Sequence, residues 1–247
     1  MNFKLITNYS PNFNLKKRNL KQIKFIIFHY TGMKKETEAI KKLTDSKSDV
    51  SSHYLIKNNG QIILMVPDLY VAWHAGSSYW KNYKSLNKNS IGIEISNSGH
   101  DFNYKKFSKQ QIRSILKLSK FLIKKYKISK KNILGHSDIA PTRKKDPGEK
   151  FPWKYLAKCQ IGLWHSIPKT ILKKNRTKTV NALDKINYYK NLSKIGYQIK
   201  NSKNMSKDKL LNFVTKAFQR RFRQELINGK IDQECLMISK NLAKKLN

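Results

Sequence analysis

Between Lys24 and His29 the chain reads KFIIFH, a short β-branched and aromatic run. A two-residue period puts Phe25, Ile27 and His29 on one face, so the run predicts a buried strand with His29 at its end. A helix is expected over residues 37–44, followed by strands at 53–57 and 61–66 joined through Asn58-Asn59-Gly60 as a β-hairpin. A further strand at 91–96 places Ile91, Ile93 and Ile95 on one face and Gly92, Glu94 and Ser96 on the other. Ser108 with Gln111 forms a capping-box pattern that opens a long helix. Its stripe of Ile112, Ile115, Leu116, Ser119, Leu122, Ile123 and Tyr126 should cover the sheet. A short strand at 132–134 then feeds a loop holding His136, Pro141, Asp146, Pro147 and Gly148.

After Trp164 this patterning gives way to IPKTILKKNRTKT, a basic stretch without a clean period. A helical module follows. One helix begins near Ser206 and keeps Leu210, Val214, Phe218 and Phe222 in register, and another begins near Asp232 with Cys235, Ile238, Leu242 and Leu246 in line. Asn228-Gly229 marks the turn between them. The predicted fold class is therefore α/β, a mixed β-sheet flanked by helices, with a small all-α C-terminal domain. A chain of 247 residues has room for both, with boundaries at 1–165, a linker at 166–178 and the helical domain at 179–247.

Apolar residues at 39% and aromatics at 11% supply enough material for a packed core, so the low mean hydropathy does not signal disorder. The formal net charge of +37 invites a nucleic-acid reading, because lysine and arginine neutralise phosphates. Its distribution argues otherwise: residues 1–178 carry 37 basic and 10 acidic side chains, residues 179–247 carry 15 and 5, and no patch stands out. Only seven of the 52 basic residues are Arg, the residue whose planar fork suits base readout, so no specific nucleic-acid partner is expected. Cys159 and Cys235 lie 76 positions apart and suggest neither a thiolate metal site nor a disulfide framework. Residues 1–17 alternate apolar and polar positions without the apolar run of a signal peptide, and no segment reaches membrane-span length. A monomeric chain with neither feature is expected.

Two imidazoles and a carboxylate form a three-ligand set that leaves zinc a fourth position for water. His29 at a strand end, His136 and Asp146 supply such a set; Asp138 competes with Asp146 for the third place, although two residues from His136 it is better placed to cap a loop or to support a ligand. Glu94 is a carboxylate in an isoleucine-rich strand, beside Gly92, whose missing side chain leaves room for a substrate. Such a group can take a proton from water and pass it to a leaving amine. Lys144, two residues before Asp146, is within reach of an oxyanion, but in so lysine-rich a chain its position alone does not lift it above surface charge. The run Ala72-Trp73-His74-Ala75-Gly76 suits either a sugar- or peptide-gripping wall or a core corner. His53 and His74 are assigned with Trp73 to substrate binding, because a fourth protein ligand would close the site.

The segments FHYTG (28–32), SSHYLI (51–56), AWHAG (72–76), NSIGIEI (89–95), GHSDIAPTRKKDPG (135–148) and FPW (151–153) together strongly resemble the type-2 N-acetylmuramoyl-L-alanine amidases, especially their AmiD-like branch. The resemblance spans about residues 23–157 and extends more distantly to the peptidoglycan recognition proteins. It implies one Zn2+ per chain held by His29, His136 and Asp146, which decides between the two aspartates. It also implies that Glu94 is the catalytic glutamate, that Lys144 helps to stabilise the transition state, and that peptidoglycan or a muropeptide is the substrate. The bond implied is the amide between the lactyl group of N-acetylmuramic acid, or its anhydro form, and L-alanine. AFQRRFR (217–223) and NGKID (228–232) resemble the three-helix peptidoglycan-binding-like module of the same branch. Relatives in that branch usually begin with a lipoprotein signal, whereas none is expected here. A peptidoglycan-binding protein that keeps the fold without catalysis is the competing expectation.

Overall fold

A computed structural model describes residues 4–199 and 205–246. Ten strands occur among them: β1 (Leu5–Thr7), β2 (Phe13–Asn14), β3 (Phe25–Tyr30), β4 (Tyr54–Ile56), β5 (Ile62–Leu64), β6 (Val71–Ala72), β7 (Tyr79–Trp80), β8 (Tyr83–Lys84), β9 (Ser90–Ile95) and β10 (Ile133–Gly135). Six form one mixed sheet in the order β1-β5-β4-β9-β3-β10. Within it β4 and β5 are the expected antiparallel hairpin, while β4, β9, β3 and β10 run parallel to one another.

The two-residue period divides this sheet into faces of different use. Ile26 and Phe28 of β3, with Ile91, Ile93 and Ile95 of β9, lie in one apolar cluster under α2 (Lys109–Tyr126). The helix starts where the capping box foretold: the Ser108 hydroxyl accepts from the Gln111 backbone amide and the Gln111 side-chain Oε1 accepts from the Ser108 backbone amide. Its fully buried positions are Ile115, Leu118, Ser119 and Leu122, with Ile112, Leu116, Ile123 and Tyr126 packed partly buried at the flanks.

On the opposite face Phe25 and Ile27, with Leu134 of β10, join one apolar cluster with the C-terminal helices α6 (Ala182–Ile195), α7 (Lys207–Phe222) and α8 (Gln233–Lys244). Leu210, Val214, Phe218 and Phe222 of α7 and Cys235, Ile238 and Leu242 of α8 are buried there, in the expected registers. Ser206 and Asp232 cap these two helices through the Lys209 and Cys235 amides. The stretch 166–178, expected to be linker, follows α4 (Trp153–Lys158) and carries α5 (Lys169–Asn175), whose Leu172 is buried in the same cluster. One buried anchor in seven residues is too sparse to register as a helical period.

Candidate metal centre

Three neighbouring parallel strands end at one place. His29 is the penultimate residue of β3, Glu94 the penultimate residue of β9 and directly paired with it in register, and His136 follows β10 as the first residue of the short helix α3 (His136–Ile139). Paired residues of parallel strands project to the same face, so His29 and Glu94 emerge side by side. The carboxyl ends of such strands are where open α/β sheets hold their ligands. Asp146 returns to this point because the Ser137 amide donates to the Asp146 carbonyl, 2.8 Å away, closing the loop between the two residues.

His29 Nδ1, His136 Nδ1 and Asp146 Oδ2 lie 2.9 to 3.1 Å from one another. All three residues are buried, and the atoms form a tight triangle able to hold a metal ion. The outward nitrogens of both rings have partners: His136 Nε2 donates to the Ala75 carbonyl at 3.2 Å, and His29 Nε2 lies 3.0 Å from His74 Nδ1. Bare inward nitrogens beside a carboxylate, with the other ring nitrogens engaged, are what a divalent cation needs from such residues.

Burial, reinforced by His136, pushes the His29 imidazole down to about 4. For Asp146 burial raises the carboxyl, but the two histidines outweigh it and hold the group well below the usual carboxylate range. Glu94 goes the other way: burial first, and then the Asp146 charge, push it up to about 8, against the pull of Lys144 and Lys42. Its Oε1 is 4.0 Å from His29 Nδ1, and its buried Oε2 has no hydrogen-bond partner.

A cleft of about 450 Å³ opens over these groups. His29, His74, Glu94, His136, Lys144 and Asp146 line it, together with Lys42, Arg143, Tyr30 and Asp101, which the sequence patterns did not single out. Lys42 follows from helical geometry in α1 (Glu36–Thr44): Ala39, Lys42 and Leu43 share a face at three- and four-residue spacing, and all three line the cleft. Arg143 donates to the carbonyls of Ala75 and Ser77, tying the loop after β10 to the loop after β6.

Other expected residues lie elsewhere. His53 is fully buried within the fold: its Nδ1 accepts from the Gly92 amide at 3.0 Å and its Nε2 is 2.8 Å from Arg18 Nη2. The Trp73 indole donates to Asn14 Oδ1 at 2.6 Å, outside the cleft. Trp80, which closes β7 after the AWHAG run and was not among the expected site residues, is a core corner, 1% exposed and edge-on to Tyr197. The space beside Gly92 is filled by the His74 ring, which a Cβ there would meet at 2.4 Å. The room expected for a substrate thus belongs to a histidine.

Asp138 is turned away from the triangle and fully engaged. Its Oδ2 accepts from the Gly135 amide at 2.8 Å and from Arg221 Nη1 at 2.6 Å, and its Oδ1 accepts from the Tyr197 hydroxyl at 2.5 Å. Arg221 also donates to the Ile133 carbonyl and lies over the Trp153 ring. The C-terminal helices are thereby bonded to the strand and helix that carry His136. The motif AFQRRFR is largely spent on this packing, since Ala217, Phe218, Arg221, Phe222 and Arg223 are all buried.

The N-acetylmuramoyl-L-alanine amidase family profile matches residues 19–149. The N-acetylmuramoyl-L-alanine amidase AmiD of Escherichia coli is 34% identical over 236 residues, covering 91% of this chain and 83% of AmiD. The 1,6-anhydro-N-acetylmuramyl-L-alanine amidase AmpD of Haemophilus influenzae is 34% identical over 60% of this chain and 88% of its own length. Among solved structures, E. coli AmiD in complex with anhydro-N-acetylmuramic acid-L-Ala-D-gamma-Glu-L-Lys superposes with a TM-score of 0.78 at 34% identity, covering 91% of this chain and 90% of the other. AmpDh3 of Pseudomonas aeruginosa in complex with an anhydromuramic pentapeptide gives 0.78 at 29% identity, over 95% and 96%.

Proposed function

The chain belongs to the N-acetylmuramoyl-L-alanine amidase family, and from that premise we propose that it is a zinc-dependent amidase acting on peptidoglycan or muropeptides. It hydrolyses the amide between muramic acid, intact or anhydro, and the L-alanine of the stem peptide. The observation that carries this reading is the triangle of His29 Nδ1, His136 Nδ1 and Asp146 Oδ2 set beside a carboxyl with an unpartnered oxygen.

His29, His136 and Asp146 would hold one Zn2+, which when bound supplies Lewis acidity to the scissile carbonyl and the attacking water. Glu94 takes the proton from that water and returns it to the leaving nitrogen of L-alanine. Its Oε2, unpartnered beside the triangle, is the atom that would carry this proton in both halves of the transfer. Lys144 lines the same cleft, and its ammonium would steady the negative charge that develops on the former carbonyl oxygen. Arg143 and Lys42 add positive charge to the wall, which suits a stem peptide bearing carboxylates.

The test is Asp146→Ala, assayed for metal content and turnover together. Loss of both is expected, and turnover retained at wild-type level contradicts the ligand assignment.

A further inference from the structure

We infer that Ser90 and His74 are positioning residues that set the tautomer of His29, so that its Nδ1 presents a lone pair to the cation. This rests on the metal-dependent reading proposed above.

The direction of the chain follows from its far end. The Leu86 carbonyl can only accept, and the Ser90 hydroxyl lies 2.7 Å from it, so the single hydroxyl proton is spent there. His74 Nε2 is 3.1 Å from the same Ser90 oxygen and must donate to it. A neutral imidazole has one N–H, which leaves His74 Nδ1 an acceptor. His29 Nε2, 3.0 Å away, then donates to it, and His29 Nδ1 is left bare toward His136 and Asp146. Reversal would have His74 Nδ1 donate to His29 Nε2, placing the remaining proton of His29 on the nitrogen that faces the triangle.

The neutral state of His74 fits its surroundings. The ring is 5% exposed, and both of its nitrogens are already engaged, Nε2 with the Ser90 oxygen and Nδ1 with His29 Nε2. Metal-bound histidines usually pass their second N–H to a carboxylate, a backbone carbonyl or water, as His136 does to Ala75. Interposing a second imidazole puts no negative charge behind His29. One face of β9 supplies the whole arrangement at alternate positions: Ser90 the acceptor, Gly92 the space for the ring, and Glu94 the carboxyl beside the triangle.

Nitrogen-15 NMR of the imidazoles in the zinc-loaded full chain reads the tautomer directly. His74 is expected as the Nε2–H form. Ser90→Ala should shift it toward the Nδ1–H form and weaken zinc binding, measured by competition with a chromogenic chelator, by about 10- to 100-fold. Ser90→Thr, which keeps the hydroxyl, should retain both. A merely structural role for Ser90 would lower stability and leave the His74 tautomer unchanged. The inference is overturned if wild-type His74 carries its proton on Nδ1, or if Ser90→Ala leaves both tautomer and zinc affinity unaltered. A wild-type chain that binds no zinc overturns the metal reading and the inference with it, whereas zinc binding with His74 in the opposite tautomer overturns the inference alone.

Discussion

The Glu94 carboxyl stands 4.0 Å from His29 Nδ1 in a buried wall, with one oxygen lacking a partner. The residue lines the cleft, where a group that exchanges a proton with a bound substrate has to stand. Glu94→Gln should keep the metal and lower kcat by about 10²- to 10⁴-fold, which steady-state kinetics alongside metal analysis will show. A second consequence concerns the metal-free protein. Between pH 4.5 and about 8 the folded chain holds a proton on Glu94 that the unfolded chain has released, so this group's contribution to stability falls as pH rises through that window. His29, pushed down from 6.5 to about 4, acts oppositely, adding stability as pH rises between those values. Comparing wild type with Glu94→Gln cancels the His29 part. The variant's advantage in thermal unfolding should grow from pH 5.5 to pH 7.5, and an advantage that shrinks would contradict the raised carboxyl. Glu94 was legible as a lone carboxylate among isoleucines; the ring that fills the slot beside Gly92 was not, because His74 reaches it from a loop 18 positions away in sequence.

At the scale of elements, β3, β9, β10 and α2 could be read from periodicity because each carries a full face of apolar residues. Positions fixed by loop geometry could not. Asp138 looked like a possible metal ligand by spacing alone, yet Arg221 and Tyr197, more than fifty residues downstream, claim its oxygens. The three side chains are buried together, so removing one partner leaves charge or polarity uncompensated. Arg221→Met should destabilise the fold by about 3–5 kcal/mol, since it strands the Asp138 carboxylate. Tyr197→Phe, which removes one hydrogen bond, should cost about 1–2 kcal/mol. Urea unfolding of both variants checks the order; equal and negligible effects would mean that the tie between α7 and α3 carries no weight.

For the whole molecule, the apolar cluster that runs from Phe25, Ile27 and Leu134 into α6, α7 and α8 makes the helical segment one wall of the core. The sequence boundary at 165–179 marks a change of pattern, and packing crosses it. A chain ending at residue 178 would expose that wall, and we expect it to melt well below the full chain or to aggregate, as calorimetry and light scattering will report. A truncated chain as stable as the full one would instead support two independent domains. The high positive charge was legible from composition, but its spread over the chain gave no sign that Lys42, Arg143 and Lys144 meet at one cleft. The central claim, that this cleft cleaves the bond between muramic acid and L-alanine, is tested most directly by mass spectrometry of an anhydro-muropeptide incubated with the zinc-loaded protein. Release of the free sugar acid and an intact stem peptide beginning with L-alanine is predicted; a muropeptide that binds and is recovered whole, or one cut within the peptide, would contradict it.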